Sequence, residues 1–184
     1  MIHLKQVTKV YPTDGGASVT AVCELNLAVE RGDFIVIKGR SGSGKTTALN
    51  LMAGLTRPTS GLVEVEGADL WSWPDRQQSA MRNCRMGFVF QFPSLLPSLT
   101  VLENVILPTI FAPALGPGEA AAQAKSLLAS VGLEDKLTAF PRQLSAGQQQ
   151  RVVIARSLIN HPEILMADEP TSNLDEQTER EIIA

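Results

Sequence analysis

The stretch Gly39-Arg40-Ser41-Gly42-Ser43-Gly44-Lys45-Thr46 constrains this chain more than any other. It reads G-x-x-x-x-G-K-T, the pattern of a phosphate-binding loop. Its glycines permit a tight turn, so that backbone N–H groups converge on phosphate oxygens. Lys45 is placed to neutralise the β- and γ-phosphates, and the Thr46 hydroxyl is placed to ligate Mg²⁺. The pattern has force only between a strand and a helix. Phe34-Ile35-Val36-Ile37 precedes it as an apolar, β-favouring run, and Thr47 to Ala53 follows as a good helix start. The helix then aims its dipole and free N–H groups at the anion. A plain glycine-rich turn has no need of the lysine or the hydroxyl.

The rest of the chain reads as an α/β protein around that loop. Ile2 to Tyr11 alternates as a half-buried strand, Asp14-Gly15-Gly16 turns, and Val19 to Val29 is a second strand. Tyr11 stands just before the turn, where its ring either stacks on a purine base or sits half-buried at the sheet edge. Leu62 to Gly67 is a short strand. Trp71 and Trp73 either form a contact patch or cover a helix that starts near Pro74. Met86 to Phe90 is a buried-type strand ending at Gln91. The loop Phe92 to Ser98 is too apolar for free solvent and reads as a docking surface. Thr100 and Glu103 form a capping-box pattern. A mainly helical segment, about Val101 to Phe140, is predicted as an insertion into the α/β body, with a strong helix over Glu119 to Val131.

Beyond Pro141, Ser145 is a natural N-cap with Gln148 at the reciprocal position, opening a helix to about Leu158. Ser145 serves as a structural cap, as part of a second phosphate-facing helix start, or as both. Glu163 to Glu169 is an apolar strand that ends in two carboxylates. It fits a central parallel strand, buried on both faces, with its carboxyl end at the ligand edge. Asp168 suits Mg²⁺, and Glu169 suits polarising an attacking water. Pro170 to Asp175 reads as a loop and Glu176 onward as a helix. Glu181 to Ala184 has neither a C-cap residue nor a basic last turn, and reads as a cut inside a helix.

Composition closes off other classes. With 184 residues the chain fits one α/β domain. A net charge of -3 argues against a general nucleic-acid binder. Cys23 and Cys84 have no metal-like or redox-like spacing and read as reduced cytosolic thiols. No apolar run approaches the ~20 residues that span a bilayer, so a membrane role must come through a partner.

Taken together, these residues resemble the nucleotide-binding domain of ABC transporter ATPases. In order they match an aromatic at Tyr11, the Walker A loop at 39–46, the Q-loop at Gln91, the signature Leu144-Ser145-Ala146-Gly147-Gln148, Walker B ending in Asp168-Glu169, and a D-loop at Ser172-Asn173-Leu174-Asp175. Ala146 departs from the usual glycine. The resemblance implies a P-loop NTPase fold: a mostly parallel core sheet, an N-terminal antiparallel β subdomain and a helical insertion. Residues 1–100 and 141–184 would form the core with the β subdomain, and 101–140 the helical subdomain. It implies ATP and Mg²⁺ as cofactors. Tyr11, Gly39, Arg40, Ser41, Gly42, Ser43, Gly44, Lys45, Thr46 and Thr47 would hold the nucleotide in one protomer. Ser145, Ala146, Gly147 and Gln148 would reach it from the other protomer of a head-to-tail homodimer. Thr46, Gln91 and Asp168 would hold the metal. Glu169 would act as base, with Gln91 and Lys45 assisting.

The partner it implies is an integral membrane permease docked near the Q-loop and the helical subdomain, with no nucleic acid involved. The protein would be cytoplasmic and peripheral on the inner face of the membrane. The family's switch histidine lies on a strand past residue 184, so the expectation for this chain is impaired hydrolysis; His161 reads as a surface-loop residue. The run Phe88 to Pro108 and the form Thr171 to Asp175 resemble the lipoprotein-release and macrolide-export group. An amino-acid-type importer ATPase is the alternative, as is a nucleotide-binding module without sustained turnover.

Overall fold

Strict alternation along the first strand would bury Ile2, Leu4 and Gln6. The computed structural model, which describes residues 1–13, 15–111 and 116–170, shows how the chain avoids burying the amide. β1 (Ile2–Pro12) pairs antiparallel with β2 (Ser18–Val29), and the register slips between Leu4 and Val7. Gln6 takes φ 50 and Glu24, on β2, takes φ 47. This irregularity resets the side-chain phase, so Val7 rather than Gln6 joins Ile2 and Leu4 inside, each at most 2% exposed. The displaced backbone groups find side chains instead: Gln6 N–H donates to Asn26 Oδ1 at 2.9 Å and Glu24 N–H to Thr8 Oγ1 at 3.0 Å.

β3 (Ser60–Val65) adds to the other side of β1, and the short β4 (Ala68–Asp69) follows across the turn at Gly67. The result is an antiparallel four-stranded sheet in the order β2-β1-β3-β4. Its apolar face includes Val63 and Val65, and α1 (Lys45–Met52) buries Ala48, Leu51 and Met52. This sheet and α1 belong to the first of two compact units, Met1–Ser79 and Ala80–Ala184. Trp71 lies in a 3-10 turn over Leu70–Ser72, half-buried, with the Arg57 guanidinium 5.8 Å from its ring centre. α2 (Asp75–Arg85), starting just after Pro74, carries the chain into the second unit.

In the second unit, β5 (Met86–Val89) and β6 (Ile164–Ala167) pair in parallel. Their first ends are fastened by a two-pronged ion pair, Arg85 Nε and Nη2 to the Glu163 carboxylate at 2.8 and 3.0 Å. Around them stand α3 (Val101–Ile106), α4 (Pro117–Ser130) and α5 (Ala146–Leu158). Ala120, Ala124 and Leu128 form an i, i+4, i+8 stripe on α4, and Val101, Val105, Val152, Val153, Ala155 and Ile159 share its core. Gly87 permits the close approach of α5, because a Cβ there would run into the backbone oxygen of Ser157.

Two expectations need correction. Phe34 to Ile37 forms no ladder with any described strand, and Phe34 is 92% exposed. Apolar, β-favouring composition supplies propensity but not a hydrogen-bonding neighbour, and a strand needs both. β6 is not buried on both faces: Met166 is inside while Leu165 is 52% exposed. Among the described residues nothing covers the Leu165 and Ala167 face of β6. The region from Thr171 onward, including the expected D-loop and last helix, lies outside the described residues, as does Asp14.

The Thr100 box at the head of α3 forms as read from sequence: Glu103 accepts from Thr100 N–H at 2.7 Å and from its hydroxyl at 2.8 Å. The backbone bond first, and the hydroxyl bond second, hold the Glu103 carboxyl below its ordinary pKa of 4.5. A depressed folded pKa means the box contributes fully above pH 4.5 and fades as pH falls through the lower folded value. The protection of α3 amides, measured against their intrinsic exchange rate at each pH, should therefore fall as pH drops through the folded value in the wild type, and Thr100→Ala should weaken that dependence. Gly87→Ala should lower the stability of the second unit by about 1–3 kcal/mol in denaturant titration, since a Cβ there must displace the backbone of α5.

Candidate functional site

The phosphate-loop sequence forms a bare, exposed turn at the head of α1. Gly44 is the N-cap with φ 88, a left-handed conformation that favours glycine, and a Cβ there would strike the backbone oxygen of Ala21 on β2. Ser43 N–H donates to Arg40 O at 3.2 Å, closing the turn. The Lys45 ammonium folds back across the loop, donating to Gly39 O at 3.1 Å and Arg40 O at 3.2 Å. Ser41, Gly42, Ser43 and Thr46 are exposed, and Thr47 is half-buried. An ammonium, an open turn and a helix N-terminus make a donor set that fits a polyphosphate.

Tyr11 lies near the end of β1, opposite Val19 and 37% exposed. Pairing of β1 with β3 ends at Thr8, so Tyr11 has β2 alone beside it. The Lys9 ammonium stands 4.9 Å from its ring centre, a cation–π contact.

The second unit gathers three expected residues at one place. The parallel register sets Val89 against Ala167, and Asp168 N–H continues the ladder by donating to Val89 O at 2.9 Å. Gln91, Asp168 and Glu169 therefore all emerge at the carboxyl ends of neighbouring strands. Gln91 Nε2 donates to Glu169 Oε2 at 3.2 Å. Glu169 adopts φ 45, which turns the chain sharply out of β6. Asp168 is half-buried and Glu169 exposed. Two carboxylates and an amide oxygen are hard donors of the kind that suit a small divalent cation.

The signature residues form the head of α5. Ser145 Oγ accepts from Gln148 N–H at 3.2 Å, and Gln148 Oε1 accepts from Ser145 N–H at 3.0 Å, a complete capping box. Ala146 is exposed and helical, so alanine fits where the family pattern has glycine; Gly147 is buried. Sequence reading passed over Gln149 and Gln150. Gln149 Nε2 donates to Pro141 O at 3.1 Å and Leu144 O at 3.3 Å, which pins the turn ahead of Ser145. Gln150, only 2% exposed, points its amide at Phe90 O. A polar run carries no local sign of which amides turn inward. His161 is exposed with φ 51, a surface position as expected.

Comparison with known proteins identifies the family. The family model described as "ABC transporter" matches residues 22–172. The lipoprotein-releasing system ATP-binding protein LolD of Shewanella denitrificans is 45% identical over 95% of this chain and 74% of its own length. The macrolide export ATP-binding/permease protein MacB of Syntrophobacter fumaroxidans is 43% identical over 100% of this chain and 26% of its own length. Among solved structures, the dimeric post-hydrolysis state of the ATP-binding cassette MJ0796 bound to ADP and Pi superposes with TM-score 0.91. It shares 42% identity and covers 100% of this chain and 80% of that one. The chain thus belongs to the ABC transporter family, as an ATP-binding cassette whose ATPase activity drives transport.

Proposed function

We propose that this cassette binds Mg-ATP between two copies of itself arranged head to tail, and that it energises a permease of the lipoprotein-release and macrolide-export type. The observation that carries the chemical half of this reading is the Gln91–Glu169 hydrogen bond beside Asp168. It supports reading Glu169 as the base and Asp168 as a metal ligand, with the Gln91 amide at the same strand-end edge.

Bound Mg-ATP would supply the phosphoanhydride bond and a metal to spread its charge. The residues would divide the remaining work. The loop from Gly39 to Thr47 would hold the phosphates with backbone N–H groups and the Lys45 ammonium, and Tyr11 would lie against the base. Thr46, Asp168 and Gln91 would ligate Mg²⁺. Glu169 would accept the proton of the attacking water. Ser145, Ala146, Gly147 and Gln148 of one copy would face the nucleotide of the other, so neither copy would have a complete site alone.

The transporter class rests on the relatives named for lipoprotein release and macrolide export. Among the described residues no helix is long and apolar enough to cross a membrane, so contact with the bilayer would come through permease subunits. Phe92 and Leu96 beyond Gln91, 67% and 44% exposed, with Ile110 and Phe111 after α3, are the apolar surface offered for that docking. Residues 101–140 would act as the helical subdomain that carries it.

Two measurements test this. Mg-ATP turnover should rise faster than linearly with protein concentration, and a strictly proportional rise would rule out the shared site. Glu169→Gln should bind ATP normally yet turn over about 10²–10⁴-fold more slowly, whereas Lys45→Ala should lose binding itself. Normal turnover by Glu169→Gln would remove Glu169 as the base.

A further inference from the structure

α5 grips the chain on both sides of Gln91. Near its start, Gln150 donates from a buried amide to Phe90 O at 3.5 Å, the outer limit of a hydrogen bond. Six residues on, Arg156 donates through Nη1 to Ser94 O at 2.7 Å. Phe90 and Ser94 bracket Gln91, and Gln91 holds the Glu169 carboxylate. Burial lowers the Arg156 pKa, so the guanidinium sits where desolvation opposes charge and a strong acceptor offsets the cost.

The far end of the same loop is also fixed. Asn104, with no exposed surface, accepts from Leu96 N–H at 2.8 Å. Its two Nδ2 hydrogens are shared among Leu96 O at 3.1 Å, Leu99 O at 3.1 Å and Thr100 O at 2.9 Å. Leu95 packs into the helical core. The segment from Phe90 to Thr100 is therefore a strap, clamped from α5 at one end and from α3 at the other.

We infer that Arg156, assisted by Gln150, is a positioning residue for Gln91: α5 carries the signature residues at its head and sets the place of the Gln91 amide through these two grips. A displacement of the Ser145 end would then reach the Glu169 carboxylate through a rigid helix and two backbone carbonyls. Asn104 keeps the rest of the strap from absorbing it. The inference rests on the roles proposed above for Gln91 and Glu169. Its test reads the position of Gln91 rather than turnover, so the two readings fail separately.

The experiment is an NMR comparison of the full chain with Arg156→Met and Arg156→Lys, with the Gln91 side-chain amide identified by its loss in Gln91→Glu. Arg156→Met should shift that amide signal and speed exchange of the Phe92–Leu99 amides by about tenfold. The α4 amides, Ala120 to Leu128, should keep their rates. Arg156→Lys should restore the signal, since one ammonium donor suffices for Ser94 O. An unmoved Gln91 signal in Arg156→Met, equal acceleration across α4, or no restoration by lysine would each overturn the inference. Should Arg156→Met fail to fold, Gln150→Met, which keeps the volume, must move the Gln91 signal, and an unmoved signal there overturns it equally.

Discussion

The parallel pairing of β5 with β6 is the constraint on which the chemical end of this protein depends. Parallel strands emit their carboxyl ends at the same edge, so residues 78 positions apart in sequence, Gln91 and Glu169, come within hydrogen-bonding distance. The Arg85–Glu163 pair fixes where the ladder begins, and the Asp168 N–H to Val89 O bond prolongs it by one residue. A slip of one residue would turn each side chain to the other face and separate these groups. The positive φ at Glu169 then redirects the chain as soon as the carboxylates have been placed.

Around that ladder, polar side chains mostly serve backbone groups rather than one another. Asn104, Gln149, Gln150 and Arg156 each send a donor to a main-chain carbonyl in a loop. Loops lack ladder partners, so their carbonyls need donors from elsewhere. Side chains that supply them tie the loops down without adding secondary structure. The same device appears at the β1–β2 irregularity, where Asn26 and Thr8 take up the backbone groups that the register shift releases.

Local rules made much of the fold legible. The capping boxes at Thr100 and Ser145 depend on residues three apart, and both form as read. The phosphate-loop motif likewise gives a glycine at a left-handed N-cap directly ahead of Lys45. Period-two alternation located β1 but missed its phase change, although the consecutive polar pair Lys5-Gln6 ahead of Val7 already breaks the alternation. The run Phe34 to Ile37 looked like a strand because strand-forming residues are recognisable, while the presence of a pairing neighbour is not. Double-sided burial of β6 failed for a related reason: an apolar run reports what a strand tolerates, not what covers it.

The sequence by itself determined the chemistry available: a lysine after a glycine turn, two carboxylates after an apolar strand, a serine cap three residues before a glutamine. These are short-range patterns whose physics is complete within a few residues. Tertiary structure alone decided which of those groups meet. It brought Gln91 to Glu169, set Arg156 against Ser94 across 62 residues, and chose Asn104 to hold the strap. Such contacts are set by strand order and helix packing, which sum many weak preferences along the whole chain, and no local pattern records the result.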